Sequence, residues 1–372
     1  MAYTNIDDPS AHFQTALYTG DGNDGKQITN DGNSDLKPDW VWLKDRTQGE
    51  SHATFDSTRG ATKRIQPNTN GAESTETATL KSFTTDGFTV GTSSSVNNGS
   101  NPDQYAAWQW KANGGTTTSV SASGSGANCI NASTHQVNQD AGFSIITYTG
   151  RADQITVHQQ TNLTHGLGVA PDLTIMKKLD GTGDWIVMGK HITTSSAYSA
   201  NEHLHLNTAD AISDAEYTGY VAPTSTYIYL GDALVNDTGD DYVCYAFASK
   251  QGYSKFGSYT GNGVANNGPF VYLGFKPAFV IIKSLAATGA HYLWDVKRSN
   301  LTLVRMYQTL NAAEVDAEGS NTIMTIDALS NGFMVMNSGS NNGTNQSGTK
   351  YVYYAWAENP LVTSTGIPTT AR

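Results

Sequence analysis

Apolar residues in this chain come in short runs whose two faces can be read directly. In Trp40-Val41-Trp42-Leu43-Lys44, positions 40, 42 and 44 share one face of a strand and 41 and 43 share the other, and both faces are largely apolar. Side-chain alternation with period two and hydrophobic residues on both sides predicts a strand packed on each face. Tyr351-Val352-Tyr353-Tyr354-Ala355-Trp356 is a second run of this kind. Between such runs, Asn97-Asn98-Gly99-Ser100-Asn101 and Gly339-Ser340-Asn341-Asn342-Gly343 are turn chemistry, rich in residues that tolerate positive φ. No apolar run approaches the ~18 residues of a membrane-crossing helix, so no membrane insertion is expected.

The runs repeat. Tyr-Thr-Gly occurs at Tyr18-Thr19-Gly20, Tyr148-Thr149-Gly150 and Tyr259-Thr260-Gly261, shortly after Phe13, Phe143 and Phe256. A Pro followed six residues later by Lys comes next, as Pro38/Lys44, Pro171/Lys177 and Pro277/Lys283. Then come Gly87-Phe88, Gly219-Tyr220 and Gly332-Phe333. Each unit closes on a Tyr followed five residues later by a large aromatic: Tyr105/Trp110, Tyr242/Phe247 and Tyr351/Trp356. Four markers in constant order define three copies of one module. The interval between copies one and two is longer, and the surplus falls in a Gly/Ser/Thr/Asn tract with linker composition. The expected organisation is all-β: three tandem β-sandwich domains, jelly-roll or immunoglobulin-like, at residues 1–112, 138–250 and 251–360. A linker at 113–137 and a tail at 361–372 complete the chain. Units two and three, joined with almost no linker, are expected to dock rigidly and unit one to be held more loosely.

Composition agrees with strands and loops. Charged residues make up 15%, against about 25% in ordinary domains; Tyr, Trp and Thr suit a pleated surface, and long coiled coils are excluded. The net charge of −11 argues against duplex DNA or an anionic membrane as the main partner, so no nucleic-acid partner is expected. The segment Met1–Phe13 has neither a basic flank nor an apolar stretch, so no secretory signal is expected. Cys129 and Cys244 are too few for a disulfide framework or a four-thiolate zinc site; Cys244, in an apolar run, reads as a buried inert thiol.

Several of these segments occur together in one known family. The opening Ile6-Asp7-Asp8-Pro9-Ser10-Ala11-His12-Phe13-Gln14-Thr15, the Tyr-Thr-Gly marker, Pro38 to Lys44, Phe55-Asp56-Ser57-Thr58-Arg59-Gly60 and the Tyr351–Trp356 run resemble a repeat family of tailed-bacteriophage proteins common in marine and cyanobacterial phages. The resemblance spans nearly the whole chain. It implies a virion component, often labelled tail fibre or tail protein, assembled in the host cytoplasm with other virion proteins as partners. Phage fibres are commonly trimers, so a homotrimer is expected, although no heptad or collagen-like repeat is present to drive it.

Candidate chemistry is sparse. Asp56/Arg59 matches Asp295/Arg298 at constant offset, and both pairs read as structural salt bridges or as carboxylates beside an anion-binding Arg; unit two has neither residue near Trp185–His191. Lys44, Lys177 and Lys283 recur and read as strand-end lysines guarding an edge or covering an aromatic with their stems. His203-Leu204-His205 places two imidazoles on one strand face, but without a third ligand at fixed spacing they read as surface histidines. Asp237-Thr238-Gly239-Asp240-Asp241 and Asp31-Gly32-Asn33-Ser34-Asp35 offer hard oxygen ligands, yet the second fails as an EF-hand loop, with Leu36 where Gly is needed and Trp42 where Glu should fall, and solvated turns are favoured. No nucleophile elbow, phosphate loop or zinc-protease motif is present. No catalytic or metal site and no cofactor are expected, and the binding residues are not identified. Five of the seven Trp sit at repeat markers and read as core. The functional expectation is a non-enzymatic tail-fibre or tail-tip protein whose loops contact a host-surface glycan. The alternatives are a capsid decoration or head-fibre protein, or a protein that binds or cleaves host polysaccharide.

Overall fold

The computed structural model describes residues 3–369 except 101–102, 122–129, 131, 152–160, 195–201, 215–221, 232–233, 287, 300–302, 319–323 and 338–342. Gly219-Tyr220, Cys129, Asn101 and Gly339 to Asn342 therefore lie outside the described residues. The chain is all-β, with antiparallel sheets throughout.

Each unit has a large sheet of the same order. In unit one the strands run Phe13–Thr19, Gln104–Trp110, Trp40–Asp45, Ala53–Asp56 from edge to edge. Units two and three repeat that order with Phe143–Thr149, Asp241–Phe247, Leu173–Lys178, Ile186–Gly189 and with Ser254–Thr260, Lys350–Pro360, Phe275–Ser284, Tyr292–Asp295. A smaller sheet covers the outer face. In unit one, Ile28, Leu80, Phe88 and Val90 of the small sheet enclose a private core with Val41, Leu43, Ala53 and Phe55 of the large one. This two-layered, sandwich-like construction gives units two and three private cores of their own.

The markers are the working parts of this unit. The Tyr of Tyr-Thr-Gly stacks across the sheet on the closing Tyr: Tyr18 on Tyr105 at 5.0 Å, Tyr148 on Tyr242 at 5.2 Å, Tyr259 on Tyr351 at 5.2 Å. Each first-named hydroxyl is satisfied by a backbone carbonyl, of Val96, Val235 and Thr344, so the ring can be buried without an orphaned O–H. The following Gly is required by close approach, since a Cβ at Gly20, Gly150 or Gly261 would come within 2.4 Å of a backbone oxygen. An Asn completes the motif, and at Asn97 it corrects the expectation of a turn residue, since Asn97 ends a short helix and is buried. Asn97, Asn236 and Asn345, all fully buried, accept from the amides of Asp21, Arg151 and Asn262 just past that Gly.

The units are not beads on a string. The inner faces of the three large sheets meet in a fourth core, in which Trp40 stacks on Tyr245 at 4.3 Å and Trp110 meets Trp356 at 5.4 Å. Phe13 meets Phe279 at 5.6 Å and Phe247 meets Trp356 at 5.4 Å, so all three pairs of units touch. Alternation explains the double packing: Val41 and Leu43 serve the private core, and Trp40 and Trp42 the shared one. The expectation that unit one is held loosely is corrected here, because its bulky aromatics fill the shared core whatever the length of the connecting segment. Two parts of that expected linker are also strands, Thr118–Ser121 and Ala132–Asn138, which extend the unit-two sheet beyond Phe143–Thr149.

Contacts run round the ring in one sense. A unit-one segment docks on unit two (Glu73 N–H to Leu179 O, 2.7 Å; Gly183 N–H to Asn70 O, 3.0 Å), and a unit-two segment docks on unit three (Ile212 N–H to Leu285 O, 3.0 Å; Gly289 N–H to Ala209 O, 2.7 Å). Unit three closes on unit one through Asp316 N–H to Arg46 O at 2.9 Å. This is the geometry of a cyclic trimer built within one chain.

The pairing register makes Trp108, Tyr245 and Tyr354 equivalent, and likewise Asp56, Gly189 and Asp295. Tyr245 donates to Asp56 at 2.7 Å and Trp108 Nε1 donates to Asp295 at 3.0 Å. Unit two offers Gly189 and Ile192 instead, and the buried Tyr354 hydroxyl has no hydrogen-bond partner. Replacing Tyr245 by Phe is expected to cost about 2 kcal/mol in chemical denaturation, because it strips a buried carboxylate of a donor, whereas Tyr354→Phe is expected to be neutral or stabilising by up to about 1 kcal/mol. Equal losses in the two variants would refute this assignment of the seams.

Candidate functional site

The two Asp/Arg pairs flagged by the sequence lie at the seams between units. The Arg59 guanidinium bonds Asp56 at 2.5 Å and Glu73 at 2.9 Å and reaches the Tyr245 hydroxyl at 3.3 Å. Arg298 repeats this with Asp295 at 2.5 Å and Asp316 at 2.6 Å, and its guanidinium lies 5.4 Å over the Trp108 ring. Asp316 in turn takes Arg46 of unit one at 2.6 Å. Both Asp–Arg side-chain pairs are at most 3% exposed, so they have no open face for a substrate, and their partners across the seam give them a joining role.

The three repeated lysines are correspondingly buried and do not guard an edge. Lys44 Nζ donates to Asp45 O at 2.6 Å and Lys177 Nζ to Lys178 O at 2.5 Å; Lys283 Nζ donates across the seam to Asp210 O at 2.6 Å as well as to Gly289 O at 2.5 Å. No carboxylate contacts any of the three ammonium groups within salt-bridge distance among the described residues. Burial pushes each of them down to about 8.

His203 is buried, a departure from the expected surface position, while His205 is only half-buried; their ring centroids are 5.0 Å apart. Among the described residues no three His, Cys, Asp or Glu side chains gather as a metal site would require. The Asp237–Asp241 loop is tied up by protein groups: Lys178 bonds Asp240, and Thr149 donates to Asp241 at 2.7 Å. Asp31 pairs with Lys297 of unit three. Cys244 is buried, and burial raises its thiol pKa out of the reactive range. All seven Trp are at most 2% exposed.

A different feature opens to solvent. Phe270 and Tyr272, on the Phe270–Tyr272 edge strand of the unit-three small sheet, are 45% and 49% exposed, with Val271 between them facing the core. Period-two geometry puts the two rings on one side, roughly 7 Å apart along the strand. The Lys255 ammonium lies 5.4 Å from the Tyr272 ring centroid and donates to the Tyr272 carbonyl at 2.7 Å. The Tyr3 hydroxyl is 3.2 Å from that of Tyr272. Tyr3 is pushed up to about 12 by burial and by its neighbour's hydroxyl, so it stays a neutral hydrogen-bonding group. The register makes Val271 equivalent to Ile28 of unit one, so Gln27 and Thr29 stand where unit three has Phe270 and Tyr272. The module folds with polar residues at these sites, and an exposed aromatic edge is a solubility liability. Folding therefore does not account for the aromatic pair. No periodicity signal distinguishes it in the sequence; only the alignment of copies does.

The buried titratable groups set a pH profile. His12, His52, His135, His165, His191 and His291 are all lowered from 6.5, chiefly by burial, His52 to about 3. The unfolded chain therefore takes up protons below pH 6.5 that the fold refuses, and stability falls with acidification. The three lysines, at about 8 in the fold against 10.5 unfolded, make stability rise between about pH 8 and 10, because there the unfolded chain holds more protons. Buried tyrosines raised above 10, Tyr245 and Tyr354 among them, reverse the trend above pH 10. Thermal unfolding across pH 5–11 is expected to show a maximum near pH 9–10, and the triple variant Lys44→Met, Lys177→Met, Lys283→Met is expected to lose the rise above pH 8. A rise that persists in the triple variant would place its origin elsewhere.

No helix among the described residues is long and apolar enough to cross a membrane. No curated protein and no solved structure matches the chain. One family does: residues 8–360 match the family described as a domain of unknown function, DUF7483, and the match runs through all three units from Asp8 to Pro360. The chain therefore belongs to the DUF7483 family.

Proposed function

We propose that this protein is a non-enzymatic structural and attachment component of a bacteriophage virion, at the tail fibre or tail tip, and that it contacts a host-surface glycan through the outer sheet of unit three. The virion setting rests on the sequence resemblance. The contact site rests on the exposed Phe270–Tyr272 pair, present in unit three and replaced by Gln27 and Thr29 in unit one.

The chemistry fits a sugar ring. Pyranose C–H faces stack on aromatic rings, and the ring's hydroxyls need nearby donors and acceptors, which the Tyr3 and Tyr272 hydroxyls and the Lys255 ammonium supply. The Lys255 charge favours acidic sugars over neutral ones. A structural role also suits the interior, where the conspicuous charged pairs are consumed in joining units. A homotrimer of chains would have to associate through outer faces, because the inner faces are buried against one another within each chain.

On a glycan array the protein is expected to bind a bacterial surface polysaccharide. Phe270→Ala and Tyr272→Ala are each expected to weaken that binding about tenfold, the loss of about 1.4 kcal/mol of stacking, and Gln27→Ala to leave it unchanged. Absence of binding by the unaltered protein, or full binding by the double variant, would sink the glycan assignment. In a density map of the particle the protein is expected at the tail; capsomer positions at capsid-like copy number would overturn that placement.

A further inference from the structure

Among the described residues, unit two has a strand that units one and three lack. Ala132–Asn138 pairs antiparallel with the outer edge of Phe143–Thr149, with Gln136 opposite Ile145. The buried Gln136 side chain also crosses to unit one, donating to Ser57 Oγ at 2.9 Å and Thr58 Oγ1 at 2.8 Å. At the seam between units one and two, this strand thus fills a slot between the edge strand of one unit and the turn after the fourth strand of its neighbour.

The same slot exists at the seam between units three and one. Thr15 is the equivalent of Ile145, and Val296 and Lys297 are the equivalents of Ser57 and Thr58. Phe13–Thr19 is an end strand of its sheet. The bond from Lys111 N–H to His12 O and that from Gly20 N–H to Asp103 O place even-numbered residues on the inner ladder, so the backbone groups of 13, 15, 17 and 19 point outward. A cleft of about 470 Å³ lies there, lined by Thr15, Val296 and Lys297 together with Asp8, Asp31 and Glu358. Lys297 Nζ donates to the outward Thr15 carbonyl at 2.9 Å, the bond that an incoming strand's N–H would make. A lysine on an open edge is a known guard against indiscriminate pairing, and its long stem can swing aside.

We propose that this cleft takes an extended segment of a partner polypeptide, added antiparallel to Phe13–Thr19 by β-augmentation, as Ala132–Asn138 is added within unit two. Glu358 is paired with Lys276 at 2.8 Å and Asp31 with Lys297, so Asp8 leaves the cleft with an excess negative charge, and the segment carries small polar side chains and a basic residue. The proposal does not depend on the glycan reading, which concerns a different face of unit three.

The test uses the full chain and a synthetic peptide of sequence KASTHQVNK, the Ala132–Asn138 strand flanked by lysines. Its control is the same peptide N-methylated at the backbone nitrogens of Ser, His and Val, and likewise in a second version at those of Thr and Gln. Amide NMR shifts at Thr15 and Leu17 are expected on titration, with at least about a tenfold loss of affinity in one of the methylated versions. Lys297→Ala is expected to strengthen binding a few-fold by uncovering the Thr15 carbonyl, and Thr15→Pro, which removes an outward N–H, to abolish it. If Thr15→Pro fails to fold, the methylated peptides carry the same question without altering the protein. Equal binding by all three peptides would reveal charge attraction alone. That result, shifts confined to another surface, or no shift at millimolar peptide would overturn the proposal, as would self-association of the chain through this edge in place of peptide binding.

Discussion

The stacking of Trp40 on Tyr245, 4.3 Å between centroids and 15° from parallel, is the contact on which the architecture turns. It joins units one and two at the centre of a core to which all three large sheets contribute. Each large sheet is thereby apolar on both faces, and neither face can be left in water. A single unit cut from this chain would expose Trp40, Trp42, Trp108 and Trp110 or their counterparts, so the ring is the folding unit and the module is only its repeating part. The hydrophobic effect scales with area removed from water, and four indole rings per unit-one sheet make closure of the ring the dominant gain.

Closure in turn dictates how charge is handled. A buried carboxylate or guanidinium is tolerated only when paired and hydrogen-bonded. Asp56/Arg59 and Asp295/Arg298 meet that condition through groups contributed by the neighbouring unit, Tyr245 in one case and Trp108 in the other. The Arg59 side chain is 3% exposed and is held charged by Asp56 and Glu73 against the cost of burial. The third seam dispenses with the pair and uses Ile192 as part of the shared core. What that seam loses is visible as loose ends: the Tyr354 hydroxyl and both ring nitrogens of His291 lack partners. The equivalent of His291 in unit one, His52, accepts from Trp42 at 3.0 Å and donates to Thr309 O of unit three at 3.1 Å.

Much of the unit was legible in the sequence because its markers are local. Tyr-Thr-Gly, Pro to Lys and the closing aromatics each report a strand or a close approach that the same residues must satisfy in every copy. The ring was not legible, because alternation shows that Trp40 and Trp42 face away from Val41 and Leu43 but does not say what they face. A Gly/Ser/Thr tract between units one and two suggested looseness, yet linker composition carries no information on the docking of the flanking sheets. The repeated lysines misled for a related reason. Six residues beyond a Pro they look like strand ends in water, and only backbone carbonyls, the next residue's own at Lys44 and Lys177 and the neighbouring unit's Asp210 O at Lys283, make burial possible. The exposed pair Phe270 and Tyr272 carries no motif at all; it becomes visible only when register assigns Gln27 and Thr29 to the same places.

A threefold repeat supplies its own control: a feature present in all three copies answers a demand of the fold, and one confined to a single copy does not. The stacked tyrosines, the buried Asn97, Asn236 and Asn345 and the three lysines belong to the first kind. The strand Ala132–Asn138 and the aromatic edge at Phe270 and Tyr272 belong to the second. Strict symmetry would have buried or neutralised every edge equally, leaving three identical faces and no address. Departures concentrated on edges and outer sheets, while the shared core stays closed, let the ring keep its stability and still present distinct surfaces on different sides. A cyclic homotrimer of identical chains could not do this, since each change would appear three times; three copies fused in one chain can vary one at a time.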